Sequence, residues 1–578
     1  ARETGFAYYQ TGPSKGWLQS ITDALGRETS YQYDPAGRVT SQTLPDGRVV
    51  NYTYDPDGNL TSVTPPSRPA HRFDYTPVDQ IADYDPPSLD GNLATTHYAY
   101  NRDRQITQIT RPDGQTIDFT YNSGGKLETE QTPIGSYQYA YNATTGQLMG
   151  ITTPRNEDLV YSWDGFLPTG TTWTGDIHGS VTRSYDNNFW LKSLSVSGNE
   201  IDYGHDADGL ITQAGDLSIV HDLQNGLTTG TTLGSLTTSQ SYNGFGELKT
   251  AEADYAGNAL YSVSYSRDKT GRIVSEAETV AGVSHSYTYS YDAAGRLTTA
   301  TIDGQATRYG YDANSNRISV NGQLIAAYDN QDRLLSYGQN RYTYTANGEL
   351  LTKSTPAGST AYNYDVLGNL REVKLPDGTD IQYVIDGQNR RIGKKVNGTL
   401  VRGFLYQGQI NPIAELDGDN NVVATFVYGT KPNVPDYMVK NGKTYRIISD
   451  ERGSPRFVID VATRTVAEAI NYDAWGNVIK DTNPGFQPFG FAGGLYDSDT
   501  GLVRFGARDY DPETGRWTAK DPVSFAGEDA NLYGYAIQDP INNLDSSGLF
   551  NPAKGFVALL NGLNAARLYA TGLLKIGA

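Results

Sequence analysis

Short extended runs, with alternate residues on opposite faces, dominate this chain. Between Arg48 and Pro65, Val49, Val50, Tyr52 and Tyr54 lie in one such run, and Tyr52 and Tyr54 share a face. Asp55-Pro56-Asp57-Gly58 then predicts a hairpin turn. Pro presets φ, and Gly accepts the left-handed conformation that closes a type I turn with a bulge. Leu60 to Val63 is the expected return strand. The unit is therefore strand, turn, strand, turn, and it recurs. Tyr33-Asp34, Tyr54-Asp55, Tyr100-Asn101, Tyr121-Asn122 and Tyr141-Asn142 each open a short polar turn. Tyr203, Tyr242, Tyr265, Tyr291-Asp292, Tyr311-Asp312, Tyr344 and Tyr364-Asp365 repeat the pattern, many at steps of about 20 residues. A Pro-Asp-Gly turn adds Pro45-Asp46-Gly47, Pro112-Asp113-Gly114 and Pro376-Asp377-Gly378.

Arrays grow by addition, so 578 residues here point to one extended structure, not a row of compact domains. Tyr-x-Tyr pairs at Tyr31/Tyr33, Tyr98/Tyr100, Tyr139/Tyr141, Tyr309/Tyr311 and Tyr362/Tyr364 would align into ladders. Each cross-strand pair adds about 0.2–1 kcal/mol, which lets a sheet stand without a thick core. A long open sheet coils through its twist and must protect its edges, so closure into a spiral or tube is expected. The fold class is all-β. The stretch from Arg155 to Gly282 repeats less cleanly, and its Trp163, Trp173 and Trp190 are expected to pack in the wall.

Composition agrees: 43 Tyr and 63 Gly against 2 Met favour strands joined by tight turns. A net charge of −19 argues against nucleic acid as a partner, because phosphate binding needs a basic surface. It serves either solubility or an acidic wall around a basic cargo. With no Cys, disulfides, thiolate zinc sites and a Cys nucleophile are excluded, which fits a bacterial protein. His71, His97, His178, His205, His221 and His285 are scattered without metal-ligand spacing. Asp417 to Asn421 lacks the Gly and Glu of a calcium loop and is expected to be a turn. No metal or cofactor is expected. The chain opens on Ala1 without Met or an apolar signal, the start expected of a fragment or processed product. No run of 18 apolar residues exists, so no membrane span is expected.

Segments such as Tyr33-Asp34-Pro35-Ala36-Gly37-Arg38-Val39 and Tyr291-Asp292-Ala293-Ala294-Gly295-Arg296-Leu297 carry a resemblance. They resemble the YD repeat of the Rhs family, which includes bacterial polymorphic toxins, insecticidal toxin-complex C subunits and animal teneurins. The resemblance covers nearly the whole chain and implies a hollow β-shell. After Tyr472 the pattern changes. Gly501 to Pro512, Gly515-Arg516-Trp517, Asp521-Pro522, Asn531-Leu532-Tyr533 and Asp545-Ser546-Ser547-Gly548-Leu549 closely resemble the Rhs-associated core that ends bacterial shells.

In cleaving members that core is an aspartic autoprotease cutting after the Leu of Asp-Pro-x-Gly-Leu. The resemblance implies Asp521 and Asp545 as the paired carboxylates, Arg508 as their cation and Leu549–Phe550 as the scissile bond. The chemistry wants one carboxylate ionised to activate water and the other protonated to polarise the carbonyl. An Arg keeps its charge and grips a carboxylate in bidentate fashion. Asp545 stands four residues before the scissile bond, so the chain must curl back, which Gly548 permits. Where the family has Pro, this chain has Ser546, and the freed loop is expected to slow cleavage.

The expected organisation is a YD-repeat shell over 1–471, a core with the protease-like site over 472–549, folded inward as a plug, and a cargo region over 550–578. There Phe556, Leu559, Leu560, Leu563, Ala566 and Leu568 predict a helical tail. The resemblance implies a container for its own C-terminal toxin, made in a bacterial cytoplasm. It is then secreted or delivered, as by type VI secretion in interbacterial competition. Missing N-terminal repeats or a partner chain would complete the shell. The alternative is an uncut surface protein for adhesion or recognition, resembling teneurins.

Overall fold

The computed structural model describes residues 2–89, 91, 94–255, 257–280, 282–527 and 529–549. The expected helical tail and the far side of the Leu549–Phe550 bond lie outside the described residues. Nearly everything described is antiparallel strand, in sheets of 31, 16 and 4 strands. The first sheet runs from Gly5 to Leu324, the second from Ala326 to Asp481, and the third from Leu495 to Trp517. Each strand pairs with its neighbour in sequence, so the wall is one long meander of hairpins.

One repeat shows why the motif folds this way. Val49–Tyr54 pairs with Leu60–Thr64, and the register slips between Thr53 and Tyr54. That slip is a bulge, and Gly58 at φ 98° closes the turn. The Asp of the motif caps the turn. Asp34 Oδ1 accepts the backbone N–H groups of Ala36 and Arg38, while Oδ2 accepts Arg38 Nε at 2.6 Å. The hydroxyl of the motif's Tyr reaches backwards. Tyr33, Tyr54, Tyr75 and Tyr121 each donate to a carbonyl 15 residues earlier, on Leu18, Val39, Leu60 and Ile106, at 2.8–2.9 Å. The Arg reaches forwards: Arg38 Nη1 donates to Asp55 O at 2.7 Å, on the next turn. These bonds sew a repeat to the one before and the one after. In the irregular stretch Trp163 Nε1 takes over the tyrosine's bond, donating to Leu148 O, and Trp173 is fully buried against Asp386.

Contacts between distant repeats show how the ribbon winds. Arg2 bonds Glu247, Arg48 bonds Ser315 and Arg68 bonds Asp332, at separations of 245, 267 and 264 residues. Several later pairs lie closer in sequence: Trp173 with Asp386 at 213, Arg446 with Thr231 at 215, and Arg456 with Glu278 at 178, while Asn420 reaches back 244 residues to Asp176. The wall therefore returns on itself after a circuit of 178 to 267 residues. Side chains, not strand pairs, join the circuits. Of the two expected closures, the structure takes the spiral, and among the described residues no ladder joins a sheet's two ends.

The third sheet and the loops after it pack against both circuits. Phe525 meets His71 and Phe73, Asn531 bonds Asn314 and Asn316, and Asn542 bonds Ile273 N and Tyr291. Tyr533 donates to Gly348 O, and Asp509 accepts from Arg391. Beneath lies an aromatic cluster of Phe491, Phe505, Tyr510, Trp517 and Tyr535, with Tyr510 and Tyr535 at 4.4 Å between centroids.

Converting Tyr33, Tyr54 and Tyr75 together to Phe leaves the rings and removes the back-stitch. Each lost bond is expected to cost about 0.5–1.5 kcal/mol. Amide exchange in Val39–Thr43 and Leu60–Thr64 is expected to accelerate, with exchange in Asp380–Ile385 unchanged; equal protection in the triple variant would refute the stitch.

Candidate active site

Val503, Arg504 and Phe505 turn at Gly506-Ala507 into Arg508, Asp509 and Tyr510, with Phe505 opposite Arg508. Alternation along the return strand sends neighbours to opposite faces. Asp509 points to the buried Arg391 and Arg504, while Arg508 stacks over the Trp517 ring at 4.2 Å. Arg508 therefore meets the loops that follow the sheet.

Asp521 opens a tight turn. Its carbonyl accepts Ser524 N at 2.9 Å, its Oδ1 accepts Val523 N at 2.9 Å, and its own N–H donates to Leu532 O. A short 3-10 turn, Ser524–Gly527, follows, and Phe525 seats it on the wall. Asp545 opens the second turn. Its Oδ1 accepts Ser547 Oγ at 3.0 Å and Leu549 N at 3.2 Å. The segment before the expected cut is strapped to the hairpin: Ala507 N donates to Ser547 O, and Arg508 Nε donates to Gly548 O. Gly548 takes φ 68°, the left-handed curl its position demanded, and a Cβ there would collide with Phe505 O.

The three charged groups expected from the sequence meet. Arg508 Nη2 lies 2.8 Å from Asp521 Oδ2 and 3.3 Å from Asp545 Oδ2. The side chains of Arg508, Asp521 and Asp545 are 4%, 10% and 5% exposed, so their charges act with little screening. Burial pushes the Asp521 carboxyl up to about 7, and neighbouring Asp545 and Asp529 add to it against the pull of Arg508. Asp545 meanwhile accepts two donors besides Arg508. A carboxyl that keeps its proton up to about pH 7 is one half of the asymmetry that carbonyl hydrolysis by an acid pair requires.

Leu549 is buried. A Cβ on Gly527 would stand 2.9 Å from Asp521 Oδ2 and 3.4 Å from Leu549 O, so both crowd one bare α-carbon. Arg508, Asp521, Ser524, Gly527, Asp529 and Asp545 line a cavity of about 20 Å³, the size of a single water. Sequence reasoning named the three charged groups and Leu549; Phe550 lies outside the described residues. It missed Ser524, Gly527 and Asp529, whose only sequence signal is proximity to Asp521. Ser546 lines a separate cavity with Arg390, Arg391 and Arg504. Among the described residues no cluster of three His, Asp or Glu side chains is arranged to hold a metal, and no helix is long and apolar enough to cross a membrane.

Because the folded Asp521 holds its proton up to about pH 7 and an unfolded one releases it near pH 4, the native state carries the extra proton between those values. Stability from this group is therefore greatest below about pH 4 and falls as pH rises towards 7. Asp521→Asn mimics the protonated acid. Its unfolding midpoint is expected to match the parent below about pH 4 and to exceed it by a margin that grows up to about pH 7 and then levels off; a constant difference from pH 4 to pH 8 would refute the shifted titration.

The teneurin YD-shell family model matches residues 7–541. Mouse teneurin-4 (Mus musculus) is 26% identical over 74% of this chain, which spans 16% of that protein's length. Chicken teneurin-1 (Gallus gallus) is 26% identical over 77% of this chain and 17% of its own. The tRNA3(Ser)-specific nuclease WapA of Bacillus spizizenii is 29% identical over 43% of this chain and 11% of its own. Among solved structures, the Photorhabdus luminescens Tc holotoxin pore with a TccC3 mutation superposes at a TM-score of 0.74, with 15% identity over 96% of this chain and 34% of that one. The TcdB2-TccC3-Cdc42 complex does so at 0.70, with 15% identity over 95% and 34%. Those two likenesses are of fold. With the family model spanning almost every described repeat, this chain belongs to the teneurin YD-shell family, within the wider Rhs/YD-repeat group.

Proposed function

We propose that this chain is the shell of an Rhs-type polymorphic toxin, enclosing a C-terminal toxin segment that it frees by cutting itself after Leu549. The observation that carries the reading is the convergence of Asp521 and Asp545 on Arg508, with Asp521 Oδ2 and the Leu549 carbonyl oxygen both beside the bare α-carbon of Gly527. In the reaction, ionised Asp545 takes a proton from a water whose oxygen attacks the Leu549 carbonyl carbon. Protonated Asp521 gives its proton to the carbonyl oxygen. The tetrahedral intermediate collapses as the C–N bond breaks, and the Phe550 nitrogen leaves as an amine carrying a proton returned by the acid pair. Arg508 holds both carboxylates in place and balances whichever is charged. Cutting within one chain adds the high effective concentration of an intramolecular reaction. One turnover suffices.

The shell would keep the toxin from the producing cell until a bacterial secretion system, such as type VI, delivers it to a competitor. Additional N-terminal repeats or a partner chain would cap the open end of the spiral. The Tc and WapA relatives, toxin-complex and nuclease proteins by name, support a toxin context. A second reading is an uncut recognition protein, favoured by the teneurin family model and by Ser546 in the place of the family's proline.

Intact-mass measurement of the purified full-length protein separates the two. The parent is expected to give two fragments divided at Leu549–Phe550, while Asp521→Asn stays whole. Gly527→Ala, whose new methyl would wedge between the acid and the carbonyl, is expected to stay whole too. An uncut parent would leave the recognition reading. If Asp521 acts as the acid, the cleavage rate is expected to decline as pH rises through about 7; a rate that climbs from pH 6 to pH 8 would contradict that role.

A further inference from the structure

Ala536 and Ile537 in the cavity wall take left-handed φ, as Ser524 does, but among the described residues lining the cavity Ser524 alone joins that conformation to a hydroxyl without a partner. It takes a left-handed φ of 53°, a costly choice for a residue with a Cβ. Its hydroxyl oxygen is shielded from solvent and has no hydrogen-bond partner among the described residues. A buried hydroxyl without a partner is a second cost, since it has given up water and gained nothing. Nothing in the turn repays either: the backbone bond Ser524 N to Asp521 O would form with any residue there. Such costs persist where they serve a site.

The hydroxyl's setting shows what it would serve. Ser524 lines the same cavity of about 20 Å³ as Arg508, Asp521, Gly527, Asp529 and Asp545, and that space suits one water. A water held there needs two to four polar partners. The carboxylates supply acceptors, and Arg508 is already engaged by both of them and by Gly548 O. A serine hydroxyl both donates and accepts, so it can fix a lone pair or a proton of the water while the carboxylate takes the other proton.

We infer that Ser524 is a positioning residue whose hydroxyl orients the attacking water between Asp521 and Asp545. This rests on the self-cleavage reading above and adds a role that neither acid fills. Without the hydroxyl the water still fits, but its lone pair is no longer aimed at the Leu549 carbonyl carbon. The remaining steps, including the proton transfers and the breaking of the C–N bond, are unchanged.

Timed cell-free synthesis of the full chain, quenched and read by mass, gives the rate for the parent, Ser524→Ala, Ser524→Gly and Asp521→Asn. Both Ser524 variants are expected to cleave about 10- to 100-fold more slowly than the parent, the size of a misaimed nucleophile. Their pH profiles are expected to keep the parent's midpoint, because the acid is untouched, and Asp521→Asn to stay uncut. Ser524→Gly is the discriminating variant, since it relieves the left-handed strain. If the serine mattered only for the turn's shape, Gly would cleave at the parent's rate or faster, and that result would overturn the inference. So would an Ala variant as fast as the parent, or a shifted midpoint. A parent that never cleaves removes the self-cleavage reading and this role with it; a cleaving parent with indifferent Ser524 variants removes this role alone.

Discussion

The wall depends on the hydrogen bond that many motif tyrosines send back to a carbonyl of the preceding hairpin, as Tyr33, Tyr54, Tyr121 and Tyr311 do. A meander pairs only neighbouring strands, so apolar burial does not by itself fix the step from one hairpin to the next, and isolated hairpins are marginal in water. The tyrosine solves both problems with one side chain, since its ring covers the sheet and its hydroxyl fixes the step between hairpins. Asp34 and its counterparts stiffen the turn that the tyrosine leaves, and Arg38 carries the connection on to Asp55. Where tyrosine is absent the bond is kept by other means, as with Trp163 and Leu148 O. The repeated element is thus the stitch more than the letter.

Stitches alone would give a ribbon of any curvature. The circuits are registered by charge pairs with little exposure, including Arg456 with Glu278, Arg68 with Asp332 and Arg111 with Glu349. Pairs of this kind add little net stability, because desolvation offsets attraction. A mismatched circuit, however, would bury a charge without its partner, which is severely unfavourable. Charge therefore acts here mainly to specify which repeat lies over which, while aromatic and aliphatic burial supplies the stability.

This division explains what the sequence made legible. Val49–Tyr54, its turn and Leu60–Thr64 follow from alternation and Asp-Pro-Asp-Gly, because the deciding interactions span a few residues. The meeting of Arg508, Asp521 and Asp545 was legible only through resemblance, since spacing says nothing about a sheet that folds back on its own wall. Asp417 to Asn421 is the turn expected, with Asp417 Oδ1 accepting Asp419 N and Asn421 N. Its Asn420 also clasps Asp176 O and His178 N on another circuit, a contact 244 and 242 residues apart that no local pattern encodes. Gly527 and Ser524 were silent for a related reason. Their importance lies in a bare α-carbon and an unpaired hydroxyl, properties that exist only once the turn is closed.

The same geometry ties the site to the wall. The turn carrying Asp521 is seated through Phe525 on His71 and Phe73, in the first circuit. The loop leading to Asp545 is held through Asn542 to Ile273 N and Tyr291, several repeats later. Arg508 stands on a hairpin whose opposite face is locked to Arg391 through Asp509. Three separate parts of the spiral must therefore be in place before the two acids share one guanidinium nitrogen. A fully extended or half-wound chain has Arg508, Asp521 and Asp545 but not their meeting, so the small cavity that they line belongs to the finished wall.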